Sequence, residues 1–117
     1  MANLVKDIET CKREILKISG PLGVNMTLKN AEGAITAGQL LSYDTTDGKL
    51  VKYVQTDHPA FTVALEGADS SSGDVPVLVA TPGTVFNSAK VVGADLGSDF
   101  NVVKELWGNG IVLKEVK

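Results

Sequence analysis

Apolar residues in this chain fall into short runs separated by glycine and proline. Gly38-Gln39-Leu40-Leu41-Ser42-Tyr43-Asp44 reads as a strand. Asp47-Gly48 is a hairpin turn signal, and Lys49-Leu50-Val51-Lys52-Tyr53-Val54 is its partner strand. Phe61, Val63 and Leu65 alternate with Thr62, Ala64 and Glu66, which predicts a strand with one core face. Val75-Pro76-Val77-Leu78-Val79-Ala80 is apolar on both faces and is predicted to be the most buried strand. Its proline implies a missing ladder bond at that end, or an edge position. Pro82-Gly83-Thr84-Val85-Phe86 gives a turn and another strand, and Ile111-Val112-Leu113-Lys114-Glu115-Val116 closes the chain as a strand.

One helix is predicted over 98–107. Ser98 is a suitable N-cap, Phe100, Val103, Leu106 and Trp107 form an apolar stripe, and Gly108 stands where a helix end favours a left-handed residue. The N-terminal pattern supports two structures. Leu4, Ile8, Cys11 and Ile15 are spaced like one helix face, with Glu9 and Arg13 a favourable pair. Arg13-Glu14-Ile15-Leu16-Lys17-Ile18-Ser19 also reads as a strand ended by Gly20-Pro21. The strand is placed from about residue 13, leaving 1–12 as an arm before a single β-rich domain over 13–117. The expected fold class is therefore mostly β: a small barrel or sandwich-like body, one short helix near the C-terminus and an N-terminal arm.

Composition narrows the function classes. A chain of 117 residues makes one domain. With 44% hydrophobic and 21% charged residues it has the material for a packed core. The net charge is −3, and no basic cluster exceeds Lys12-Arg13, so the sequence does not suit a nucleic-acid backbone. A single cysteine, Cys11, allows no intrachain disulfide. Residues 1–7 carry no long apolar run, which argues against a signal peptide or a membrane span there. Without a secretion signal, the sequon Asn25-Met26-Thr27 is read as chance.

The residues that chemistry would need are missing. The one histidine, His58, stands beside Pro59 in a polar stretch and reads as a solvated loop residue rather than a catalytic base. No His, Cys, Asp or Glu pair has zinc spacing. Asp69-Ser70-Ser71-Ser72-Gly73-Asp74 lacks the regular acidic ligands of a calcium loop and reads as a polar turn. No glycine-rich stretch has phosphate-loop spacing. Phe100 and Trp107 read as core residues, and Cys11, beside Lys12 and Arg13, as an ordinary thiol. The expectation is no enzyme, no cofactor, no metal and no small-molecule substrate.

The order of segments resembles a known family. Arg13-Glu14-Ile15-Leu16-Lys17-Ile18 leads to a glycine turn, then Ala37-Gly38-Gln39-Leu40-Leu41, Tyr43-Asp44, a Gly48-Lys49 turn and Leu50-Val51-Lys52-Tyr53. Phe61-Thr62-Val63-Ala64-Leu65-Glu66 follows, then a polar loop ending in Gly73-Asp74-Val75, then Val77-Leu78-Val79 and Pro82-Gly83-Thr84-Val85. A helix ending in Leu106 and Gly110-Ile111-Val112-Leu113 complete the series. Over roughly residues 13–116 this is similar to the lambda-type bacteriophage head decoration proteins. Each piece is common; their order and spacing carry the likeness. The arm departs from the family pattern, being short and more apolar.

The resemblance implies a β-tulip-type body and a homotrimer bound to the outside of an expanded capsid, where it clamps neighbouring copies of the major capsid protein. It implies a virion protein assembled in the host cytoplasm. Leu4, Val5 and Ile8 are the expected capsid-binding residues of the arm, since such a segment can add to another protein's sheet edge. The alternatives are non-catalytic β modules. A biotinyl-like carrier needs an exposed hairpin lysine; Lys49 is placed for it, but neither Met1 nor Met26 is near. A co-chaperonin-like barrel needs a long mobile loop with an apolar tripeptide, and the loops here are short or polar.

Overall fold

The computed structural model describes residues 16–55, 58–96, 98–99 and 101–114. Leu4, Val5, Ile8 and Cys11 lie outside them, as do residues 13–15 of the first predicted strand and Phe100. The described residues form strands β1 (Lys17–Ser19), β2 (Val24–Leu28), β3 (Ala34–Ile35), β4 (Leu40–Asp44), β5 (Lys49–Lys52), β6 (Ala60–Val63), β7 (Ala68–Asp69), β8 (Val75–Val79), β9 (Val85–Asn87) and β10 (Val112–Lys114). A 3-10 turn spans Ser88–Lys90, and one α-helix, α1, spans Asn101–Gly108. The fold is mostly β with one short helix near the C-terminus, as the glycine- and proline-bounded runs predict.

The main sheet has five strands in the order β6-β4-β5-β2-β8. A four-residue loop joins β4 to β5, with Asp44 opposite Lys49. Gly48 N–H donates to Asp44 O at 2.8 Å, and Thr46 N–H donates to the Asp44 carboxylate at 2.9 Å. Gly48 has φ +70, which explains why the Asp-Gly pair acts as the turn signal. The sheet curls until its edge strands meet at one corner. There Leu65 N–H donates to Leu78 O at 2.8 Å and Ala80 N–H to Val63 O at 3.1 Å. Pairing stops at that corner, so the sheet does not close into a barrel. A three-stranded sheet, β1-β9-β10, and the small β3-β7 pair complete the body.

Two apolar clusters lie on either side of β4. Leu40 joins Tyr53, Phe86, Val102, Leu106 and Ile111, which brings together the main sheet, the three-stranded sheet and α1. Leu41 joins Leu28, Leu50, Val77 and Val79 inside the curl of the main sheet. Consecutive strand residues point to opposite faces, so adjacent leucines serve both cores. Each fully buried leucine contributes about 1.5–3 kcal/mol.

This arrangement corrects the expectation that β8 is the most buried strand. That position belongs to β4, where Leu40, Leu41 and Ser42 are all 0% exposed. β4 has a strand on each side and a core on each face. β8 lies at the sheet edge with Pro76 exposed, the edge position that a residue without an N–H tolerates.

The helix begins later than predicted. Ser98 N–H donates to Asp95 O at 3.0 Å, so Ser98 belongs to a preceding turn and is not the cap. The inward stripe is Val102 and Leu106, not Val103 and Trp107, which are 39% and 66% exposed. The helix ends with Gly110, rather than Gly108, as its left-handed residue, at φ +80. Ile111 N–H donates to Leu106 O at 2.9 Å and Gly110 N–H to Trp107 O at 3.0 Å, the two bonds of a Schellman cap. Ile111 and Leu106 pack in the same core cluster, which locks the cap.

Candidate functional site

The sequence of β4, β6 and α1 creates an open groove of about 500 Å³ where the three elements meet. Tyr43 and Thr45 come from β4 and its loop, His58 to Phe61 from the start of β6, and Glu105 and Asn109 from one flank of α1. Glu105 and Asn109 are four residues apart and share that flank. Tyr43 and Phe61 stand with ring centroids 5.2 Å apart at a tilt of 46°. Asn109 Nδ2 donates to Phe61 O at 3.3 Å and to Ala60 O at 3.4 Å, tying the helix end to the sheet edge.

The groove is acidic. Burial pushes the Glu105 carboxyl above its usual range; a hydrogen bond from Ala60 N–H opposes this, the charge of Asp99 adds to it to a smaller extent, and the charge of Lys104 opposes it most weakly. Glu105 forms no salt bridge to a described residue. Behind it, Asp99 is 5% exposed and accepts a hydrogen bond from Tyr53 Oη at 2.5 Å. Its other oxygen, Oδ1, is buried without a hydrogen-bond partner among the described residues. Burial, reinforced by that bond and the neighbouring negative charges, raises the Tyr53 hydroxyl far above its ordinary value.

Most other charged groups near the sheet ends are committed to internal partners. Lys29 pairs with Asp47 at 2.5 Å and Asp44 at 3.5 Å, and Lys49 pairs with Asp74 at 2.6 Å. Asp74 also accepts from Asn30 N–H at 2.8 Å. In the loop after β7, Asp69 accepts from both Ser71 N–H and Ser71 Oγ, while Ser70 is fully buried and accepts from Glu32 N–H at 3.1 Å through its hydroxyl. That loop is a folded polar turn whose two carboxylates already have protein donors. No group of three or more His, Cys, Asp or Glu among the described residues is placed to hold a metal ion. Lys49, the candidate carrier lysine, is paired with Asp74 at the surface, its side chain 37% exposed.

His58 is half-buried at the groove, because Ser42 Oγ donates to His58 O at 3.3 Å and pins the loop onto β4. The polar stretch around it predicts a solvated side chain, with no link to Tyr43, Phe61 or Glu105. Spacing could not supply one, since these come from three elements. Trp107, expected in the core, is one of the most exposed large apolar side chains, together with Leu22 at 87%. Leu22 borders a second, shallower groove of about 370 Å³ with Leu16, Ala37, Leu65 and Leu78. The capsid-binding residues Leu4, Val5 and Ile8 lie outside the described residues. No helix among the described residues is long and apolar enough to cross a membrane.

No protein-family model matches the chain, and no curated protein matches it in sequence.

Proposed function

We propose that this chain is a structural virion protein that binds the outer surface of an expanded bacteriophage capsid as a trimer and stabilises the shell without catalysis. The observation that carries the reading is the display of two large apolar side chains outside both core clusters, Leu22 at 87% and Trp107 at 66% exposed. Each is a large apolar side chain that contact with another protein would cover. The resemblance in segment order to the lambda-type decoration proteins supplies the identity of the partner, the major capsid protein.

The arm supplies the attachment in this reading. Burying Leu4, Val5 and Ile8 against the capsid contributes about 1.5–3 kcal/mol each, before the cost of ordering the arm is subtracted. The remainder is modest per chain, but three arms on one trimer act together through effective concentration.

The test is to mix the purified protein with expanded and unexpanded capsids of its own particle and image them by electron microscopy. Trimeric density on expanded shells alone is the expected result, and absence of binding to either overturns the reading. Deleting residues 2–12 should abolish that binding and leave thermal stability unchanged. A collapse in stability would make the segment part of the body.

A further inference from the structure

We infer that the groove between β4, β6 and α1 is a receptor for a single arginine side chain presented by a protein partner. The assignment rests on the reading of the chain as a binding protein and adds the chemistry of one contact. Three features select the occupant.

The first is charge. Glu105 lines the groove as a half-buried carboxylate with a neutral donor, Ala60 N–H, and no salt-bridge partner among the described residues. Asp99 sets a second negative charge close enough to act on it. No lysine or arginine among the described residues lines the groove. Lys104, a basic residue that acts on Glu105, is exposed on the helix and has the weakest influence of the causes acting on that carboxyl. A partly buried carboxylate in this setting gains most from an incoming cation, because the groove walls reduce screening by water.

The second is the wall. Tyr43 and Phe61 present a tilted aromatic pair along the same groove. Aromatic faces attract cations, and the planar guanidinium stacks on them better than a compact ammonium does. The third is capacity. A groove of about 500 Å³ accommodates a long side chain with its aliphatic stem against Pro59 and Phe61 and its head at Glu105. Guanidinium matches a carboxylate with two parallel hydrogen bonds, so arginine satisfies both wall and floor.

The experiment is an amide-resolved NMR titration of the full chain with the capped tripeptides Gly-Arg-Gly, Gly-Lys-Gly and Gly-Gln-Gly. The arginine peptide is expected to shift the amides of Ala60, Phe61, Glu105 and Asn109, with affinity at least about tenfold above the glutamine peptide. Glu105→Gln should remove that difference. Phe61→Leu, which keeps the carboxylate, should weaken the arginine peptide toward the lysine peptide. Equal binding of all three peptides, shifts outside the groove, or an unchanged Glu105→Gln response would overturn the site. Lysine binding as tight as arginine would overturn the choice of arginine. Capsid binding by the unaltered protein is scored separately. Its absence would overturn the capsid reading and leave the peptide result standing.

Discussion

Tyr53 Oη donates to Asp99 at 2.5 Å, joining the residue that follows β5 to one that precedes α1 across 46 positions of sequence. Both residues are buried, and Asp99 Oδ1 has no donor among the described residues. The bond is thus the main satisfaction of a carboxylate placed inside the protein, two residues before the helix begins. Tyr53→Phe should cost about 1–3 kcal/mol, because the carboxylate would stay buried with less compensation. Asp99→Ala should cost a similar amount by stranding the hydroxyl. The double variant should lose less than the sum of the two, as measured by a denaturation cycle. Additive losses would mean that the two groups do not depend on each other.

Gly108 and Gly110 should respond to alanine in opposite directions. Gly108 is helical, and a Cβ there meets no atom within 4 Å. Gly108→Ala should stabilise by about 0.4–1 kcal/mol by reducing unfolded-state freedom. Gly110 has φ +80, and its Cβ would lie 2.8 Å from Pro82 Cβ. Gly110→Ala should destabilise by about 1–3 kcal/mol, from left-handed strain and this clash. Chemical denaturation of both variants checks the pair, and the same sign for both would contradict the capping geometry.

The same two glycines show how far the sequence carries. Apolar stripes and turn residues announced a helix near residues 98–107, but Gly108 and Gly110 are equally plausible stops on paper. The packing of Ile111 on Leu106 decides between them, and that is a tertiary contact. The strands with strong apolar runs, β4, β5, β6, β8 and β9, were legible. β2 carries the alternation Val24, Met26 and Leu28, but over five residues only, and Leu28 is its one fully buried side chain. β3 and β7 have two residues each, too few for any period. Trp107 was misplaced because Val103, Leu106 and Trp107 suit a stripe as well as Val102 and Leu106 do. The groove was illegible for a different reason: its wall and floor come from segments more than forty residues apart.

Acid should act in opposite directions on two sets of carboxyls. Asp74 is held below the usual carboxylate range by Lys49 and by Asn30 N–H, and Asp44 by Thr46 N–H and then Lys29. Their contribution to stability is present above the unfolded value and is lost as pH falls through the depressed folded one. Glu105 is raised, chiefly by burial, so its contribution is present below the unfolded value and is lost as pH rises through the raised one. Asp74→Asn should therefore be less stable than the parent at neutral pH, with the deficit shrinking toward pH ~3. Glu105→Gln should match or exceed the parent at neutral pH, with any advantage shrinking in acid. Urea titrations at the two pH values check both signs.

Trp107 is the sharpest surface test of the binding role. At 66% exposed, it contributes little to either core, so Trp107→Glu should change stability by no more than about 0.5 kcal/mol. A tryptophan covered by a partner buries roughly 150–250 Å², most of it newly shielded here. At about 25 cal/mol per Å², less the cost of ordering, that leaves about 2 kcal/mol, or roughly thirtyfold in affinity. Leu22→Glu makes the same substitution at the second exposed apolar position, next to a different groove. Co-sedimentation with expanded capsids separates the two. If only one variant loses binding, that side chain faces the shell and the other faces a different partner or solvent. If neither does, exposed apolar surface on the body is not the means of attachment, and the arm carries it alone. A large loss of stability for Trp107→Glu would instead make the tryptophan part of the fold and remove it from the interface.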